Sequence, residues 1–173
     1  MVMSTRRPVI LVFIGLIAGL LAGPLTAAAQ ELALNGAGTR KAFFIDLYTC
    51  SLWVAAPTRS EDELLNRDTP ARVKILVHGN PPGAAPPEDW AALLKSELSG
   101  KYYKLTKRTY RDLEEGDEII VQYPDGEGTS VSVNGEHILT DPGRALMVAI
   151  LEQWIGPEPV SDELKVALLD PQD

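Results

Sequence analysis

Apolar and polar positions along the chain fall into a few clear periods. From Ala71 to His78, Val73, Ile75 and Val77 alternate with Arg72, Lys74 and Leu76, the period of a strand. Leu32–Val54, LALNGAGTRKAFFIDLYTCSLWV, is richer. Gly36 and Gly38 break its opening apolar run, Arg40 follows, and Lys41 to Val54 contains neither Gly nor Pro. Its β-branched and aromatic side chains predict one long strand, or two fused by a bulge. Along it Asp46, Tyr48 and Cys50 share one face, and Ile45, Leu47 and Thr49 the other. Asp117–Tyr123, Gly128–Val133 and Glu136–Leu139 read as a meander, turned at Pro124-Asp125-Gly126 and at the hairpin dipeptide Asn134-Gly135. The sheet is therefore expected to be antiparallel and to contain Phe43–Val54.

Helical spacing appears in four places. Ser60 and Glu63 form a capping-box start for a short helix through Asn66. Glu88–Leu98 carries Trp90, Leu93, Leu94 and Leu98 on one face, after a proline-rich loop at Gly79–Pro87. Asp141 reads as an N-cap with Pro142 at the first helical position. The stripe that follows is Leu146, Met147, Ile150, Leu151, Trp154 and Ile155, stopped at Gly156 with Pro157 beyond. Ser161–Leu169 is a short closing helix with Leu164, Leu168 and Leu169 inward.

The N-terminus changes the picture of where the protein works. Arg6 and Arg7, the apolar Val9–Leu21 and the small residues Ala27–Ala29 have the layout of a signal peptide over residues 1–29. The expected mature domain is 30–173, periplasmic or secreted, with no stable membrane anchor after cleavage. Sec export is favoured over the twin-arginine route. Loss of the two arginines takes the formal net charge from −8 to −10, which argues against nucleic acid and anionic membranes as partners.

Candidate chemistry is sparse. Cys50 is the only cysteine, so no intrachain disulfide forms, and it reads as a small core residue. His78 and His137 lack metal-ligand spacing, and the acidic run Glu114, Glu115, Asp117, Glu118 lacks calcium-loop spacing. Gly36-Ala37-Gly38 lacks the third glycine of a dinucleotide loop, since Lys41 stands there. No metal and no cofactor are expected. Lys101–Arg111 interleaves five basic residues with Tyr102, Tyr103 and Tyr110, which reads as a solvated face or the wall of a ligand cleft.

Three separated stretches, in order, carry a resemblance: GAGTR before FFIDLYTCSLWV, the turn YPDGEGTSVSVNG, and the tail WIGPEPVSDELKVALL. Together they resemble the chalcone isomerase-like family, in its bacterial branch. The resemblance implies an α+β fold, an open-faced β-sandwich with a large antiparallel sheet, helices packed on one face and a ligand cleft between. Arg40 matches the family's cleft arginine. In the isomerases that arginine favours a phenolate as it adds to an unsaturated ketone, so Arg40 is the catalytic candidate if the chain is an isomerase. The ketone side departs from the enzymes. Tyr48 stands at the position best matching a Thr, and Gln153 at that of a second Thr. The expected Tyr/Asn pair has no clear match, although Tyr102, Tyr103 and Tyr110 lie in the right part of the chain.

That departure resembles the non-catalytic fatty-acid-binding relatives, in which an arginine and a tyrosine hold a carboxylate. The expected ligand contacts are Arg40, Tyr48, Tyr102, Tyr103, Tyr110 and Gln153, and the expected partner is a small amphipathic or carboxylate molecule. Two other readings stay open: an intramolecular lyase or isomerase acting on a chalcone-like carbonyl, and a structural or assembly partner with a vestigial cleft. Arg40 could equally cap a turn or pair with a carboxylate, and Tyr48 could be a plain core residue. The sequence leaves the ligand's identity and the oligomeric state open.

Overall fold

The computed structural model describes residues 31–42, 44–79, 113–124 and 126–171. The leader at 1–29, the helix expected at Glu88–Leu98, most of the loop before it, and the basic segment with Tyr102, Tyr103 and Tyr110 lie outside the described residues.

Among the described residues six strands form one sheet in chain order, with every neighbouring pair antiparallel. They are β1 (Ala33–Ala42), β2 (Ile45–Val54), β3 (Ala71–Val77), β4 (Glu118–Tyr123), β5 (Thr129–Val133) and β6 (Glu136–Asp141). Helix α1 (Glu61–Asn66) joins β2 to β3, and α2 (Ala145–Ile155) and α3 (Asp162–Leu168) follow β6. The helices pack on one side of the sheet, so the fold is α+β and open-faced, as expected. On that side lie Tyr48, Cys50, Leu52 and Val54 of β2, Val73, Ile75 and Val77 of β3, and Ile119, Val121 and Tyr123 of β4. The predicted stripe of α2, Leu146 to Ile155, is buried against them, together with Leu164 and Leu168 of α3. Each buried aliphatic side chain stabilises the fold by about 1.5–3 kcal/mol.

The first hairpin corrects the reading of Lys41–Val54 as one strand, or two fused by a bulge. The run is folded back on itself: Ala42 is opposite Ile45, and Arg40 opposite Tyr48. Gly36 and Gly38 lie inside β1 and do not precede the strand. Positions 43–44 carry no Asn, Asp or Gly, so the turn has no signature in composition. The glycines have a packing reason. A Cβ on Gly36 would meet the carbonyl oxygens of Ala167 and Leu168, and one on Gly38 the side chains of Ala167 and Leu164. Backbone glycine is what lets α3 lie directly on β1.

Between Leu34 and Gly36 the register slips. Asn35, fully buried there, donates its side-chain N–H to Leu168 O at 2.7 Å and accepts from Thr58 N at 2.7 Å. A side-chain amide is suited to such a slip because it offers donor and acceptor together.

The cap at Ser60 accepts from Glu63 N, as expected, but Glu63 reaches Thr58 Oγ1 at 2.8 Å in place of the Ser60 amide. Asp141 is a second correction. It ends β6, and α2 begins at Ala145 with Arg144 as N-cap and no side-chain cap bond. The intervening turn passes Gly143 at φ 75°, and Thr129 Oγ1 donates to Gly143 O at 3.0 Å. Arg144 is drawn elsewhere, donating to Leu64 O and Leu65 O at the end of α1. There it satisfies carbonyls that the short helix cannot. The Asn134-Gly135 turn has positive φ at both residues, 50° and 79°, matching its hairpin signature.

Candidate ligand-binding site

Directly opposed residues in an antiparallel pair leave the sheet on the same face. Arg40 and Tyr48 are such a pair, and Tyr48 belongs to the face under the helices. The two side chains that the sequence separated along one strand are therefore cross-strand neighbours.

Arg40 is half-buried. Its Nη1 donates to the carbonyl of Lys41. Its Nε is buried and has no hydrogen-bond partner among the described residues. Among the described residues Arg40 makes no ion pair: Asp46, the nearest acid in sequence, is 3.2 Å from Lys41 Nζ. The acid that feels Arg40 is Glu163, at the start of α3. Its carboxyl is held below the usual carboxylate range first by its own backbone N–H, then by the Ser161 hydroxyl, with a smaller contribution from the Arg40 charge.

Tyr48 is 3% exposed. Trp154 Nε1 donates to its hydroxyl at 2.9 Å, and the two rings lie 6.3 Å apart at 55°. An indole N–H can only donate, so the phenol oxygen is the acceptor in this contact and its own proton is directed elsewhere.

Of the remaining candidates, Tyr102, Tyr103 and Tyr110 lie outside the described residues. Gln153 is half-buried on α2; its carbonyl accepts from Val160 N, and its side chain makes no hydrogen bond among the described residues. His78 sits beyond β3 in a polar line on the other face, with Nε2 2.6 Å from Thr49 Oγ1, which is 2.9 Å from Thr39 Oγ1. Among the described residues no group of three His, Cys, Asp or Glu side chains is placed to hold a metal. The sequence reading missed two participants. Trp154 counted only as apolar, although a buried indole needs an acceptor. Glu163 lies far from Arg40 in sequence, and nothing local signals the approach.

Chemically, a guanidinium neither gives nor takes a proton at ordinary pH. Arg40 therefore offers charge stabilisation and a hydrogen-bond donor, the equipment for holding an oxyanion.

A family model described as chalcone isomerase-like matches residues 20–170. Among solved structures, a fatty-acid binding protein of Arabidopsis thaliana is similar at 20% identity with a TM-score of 0.57. The match covers 83% of this chain and 90% of that one, and it establishes a shared fold. Comparison with curated proteins found no match.

Proposed function

This chain belongs to the chalcone isomerase-like family, and within it we propose that the protein is a non-catalytic binder of a small amphipathic carboxylic acid, such as a fatty acid. The observation that carries this reading is the buried Nε of Arg40, which has no acceptor among the described residues. Leaving such a donor unsatisfied costs about 1–3 kcal/mol, more where the group is charged. A carboxylate set against Arg40 supplies the acceptor and the counter-charge in one group. Tyr48, directly opposite, then stands next to the bound head group. The apolar residues of β2 and β3 and of α2 are the surfaces a tail would lie against. The Arabidopsis protein supports the reading as a fold relative that binds fatty acids. The proposed setting is the periplasm or the exterior, reached through cleavage of residues 1–29.

Calorimetric titration with dodecanoate, and with dodecanol as a control for the tail alone, tests the site. Saturable binding of the acid, far weaker binding of the alcohol, and a loss of about 2–4 kcal/mol in Arg40→Ala are expected. Arg40→Lys should recover only part, because an ammonium lacks the planar fork. Equal affinity for acid and alcohol, or an unchanged Arg40→Ala, would overturn the assignment.

A further inference from the structure

With the acid-binding reading above as its premise, we infer that Glu163 sets the charge of the head group that Arg40 accepts, admitting a singly charged acid and turning away a doubly charged one. Packing brings the two residues together. A Cβ on Gly36 would meet Ala167 and Leu168, and one on Gly38 would meet Leu164 and Ala167. Passing from Gly36 to Gly38 along β1 therefore moves backwards along α3, from its last residues toward its first turn. Arg40 is the next position on that face of β1, about 7 Å beyond Gly38. The first turn of α3 holds Asp162 and Glu163.

Glu163 is tethered to its own helix, because the Ser161 hydroxyl donates to Glu163 Oε2 at 2.8 Å. Among the described residues no ion pair joins it to Arg40. Its own backbone N–H, then Ser161 and, more weakly, the Arg40 charge hold its carboxyl below the usual range, so it is ionised at neutral pH. It is thus a fixed anion beside the guanidinium that does not occupy it.

One guanidinium neutralises one negative charge. The second charge of a dianion would stand without a cation beside the buried Tyr48 and would face Glu163 as well. The neighbouring lysines do not relieve it: Lys41 is paired with Asp46 at 3.2 Å, and Lys165 of α3 with Glu61. Repulsion follows the product of the charges, so a dianion feels Glu163 twice as strongly as a monoanion does. Glu163 is exposed, which keeps the effect modest and sensitive to salt.

The test is calorimetric titration near pH 8 with dodecanoate, dodecylsulfonate and dodecylphosphate, each below its micelle concentration. The phosphate is doubly charged there, since its second pKa is about 6. Wild type should bind the two monoanions within about threefold of each other and the phosphate about tenfold more weakly. Glu163→Gln keeps an acceptor for Ser161 and should keep the wild-type circular dichroism. It should strengthen dodecanoate binding about twofold and dodecylphosphate binding about fourfold, with both gains shrinking in about 0.5 M salt. Glu136→Gln removes an equal charge from β6, at the opposite edge of the sheet, and should leave the ratio of the two ligands unchanged. Without any ligand, a carbon-13 NMR titration should find the Glu163 midpoint raised in Arg40→Ala. Equal wild-type affinity for dodecanoate and dodecylphosphate, a ratio unmoved by Glu163→Gln, or a Glu163 midpoint indifferent to Arg40→Ala overturns the proposal and leaves dodecanoate binding standing. Wild type that binds none of the three overturns the acid-binding reading, and the charge filter with it.

Discussion

Trp154 on α2 donates its indole N–H to the hydroxyl of Tyr48 on β2, across the buried interface between helix layer and sheet. The bond is a rivet between the two layers at the position next to Arg40. Its partners are unequal: a phenol can both accept and donate, whereas an indole N–H can only donate.

Removing either partner should therefore be costly, and removing both less than the sum. Tyr48→Phe leaves a buried N–H unsatisfied and should lose about 1–3 kcal/mol. Trp154→Phe should lose about 2–4 kcal/mol, since ring volume is lost as well. Urea denaturation of both singles and of the double variant gives the coupling energy, expected at about 1 kcal/mol or more. A coupling near zero would show that the contact contributes nothing beyond packing.

The two glycines of β1 should rank by what their missing side chains would strike. A methyl on Gly36 would come within 2.2 Å of Ala167 O, which is backbone and cannot yield without moving α3. On Gly38 it would come within 2.8 Å of Ala167 Cβ and 2.9 Å of Leu164 Cδ1, the latter a flexible end. Gly38→Ala should cost about 1–3 kcal/mol and Gly36→Ala more, read from the shift in thermal midpoint.

Alkaline pH should expose the Tyr123–Asp68 bond. The Tyr123 hydroxyl donates to Asp68 at 2.6 Å, and that bond, then burial, then the Asp68 charge raise its pKa above the ordinary 10.0. A raised folded value means that the protonated phenol is what the fold favours. Its contribution is complete below the unfolded pKa and is lost as pH rises through the folded one. Tyr123→Phe should cost about 1–2 kcal/mol at neutral pH, with the gap to wild type closing as pH rises through the raised folded pKa. Urea midpoints of both proteins across that range provide the measurement.

Chalcone cyclisation should run no faster with the protein than without it. Arg40 is present, but the position that best matches a ketone-side Thr holds Tyr48, whose hydroxyl is engaged by Trp154 in the core. Each 1.4 kcal/mol of absent transition-state stabilisation is about a tenfold loss in rate. Turnover well above the spontaneous rate and abolished by Arg40→Ala would restore the isomerase reading.

What the sequence revealed depended on how local each cause was. The stripe of α2 and the alternation of β3 follow from periods of a few residues, and they reappear as buried positions residue for residue. The cap at Ser60 is equally local. The β1–β2 turn was illegible because its residues are those of a strand, so only the pairing of Ala42 with Ile45 reveals it. Asp141 misled because Asp-Pro is a fair helix start, yet the bond from Thr129 to Gly143 and the pull of α1 on Arg144 hold the chain out of helix for three more residues. Arg40 was singled out through its motif. The acid that approaches it, and the indole that holds Tyr48, lie more than a hundred residues away and carry no local mark.

The amide of Asn35, bonded to a carbonyl 133 residues later, sets an order of events for a chain made from its N-terminus. The first strand to emerge is seated by the last helix, and the glycines that make its seat have no cover until then. A nascent chain can close β2 to β6 by neighbour pairing, but the ground around Arg40 is completed only when α3 docks. Contacts of such separation form late and slowly. Before α3 arrives, the glycine track on the face of β1 is bare and open to chaperones and proteases during folding.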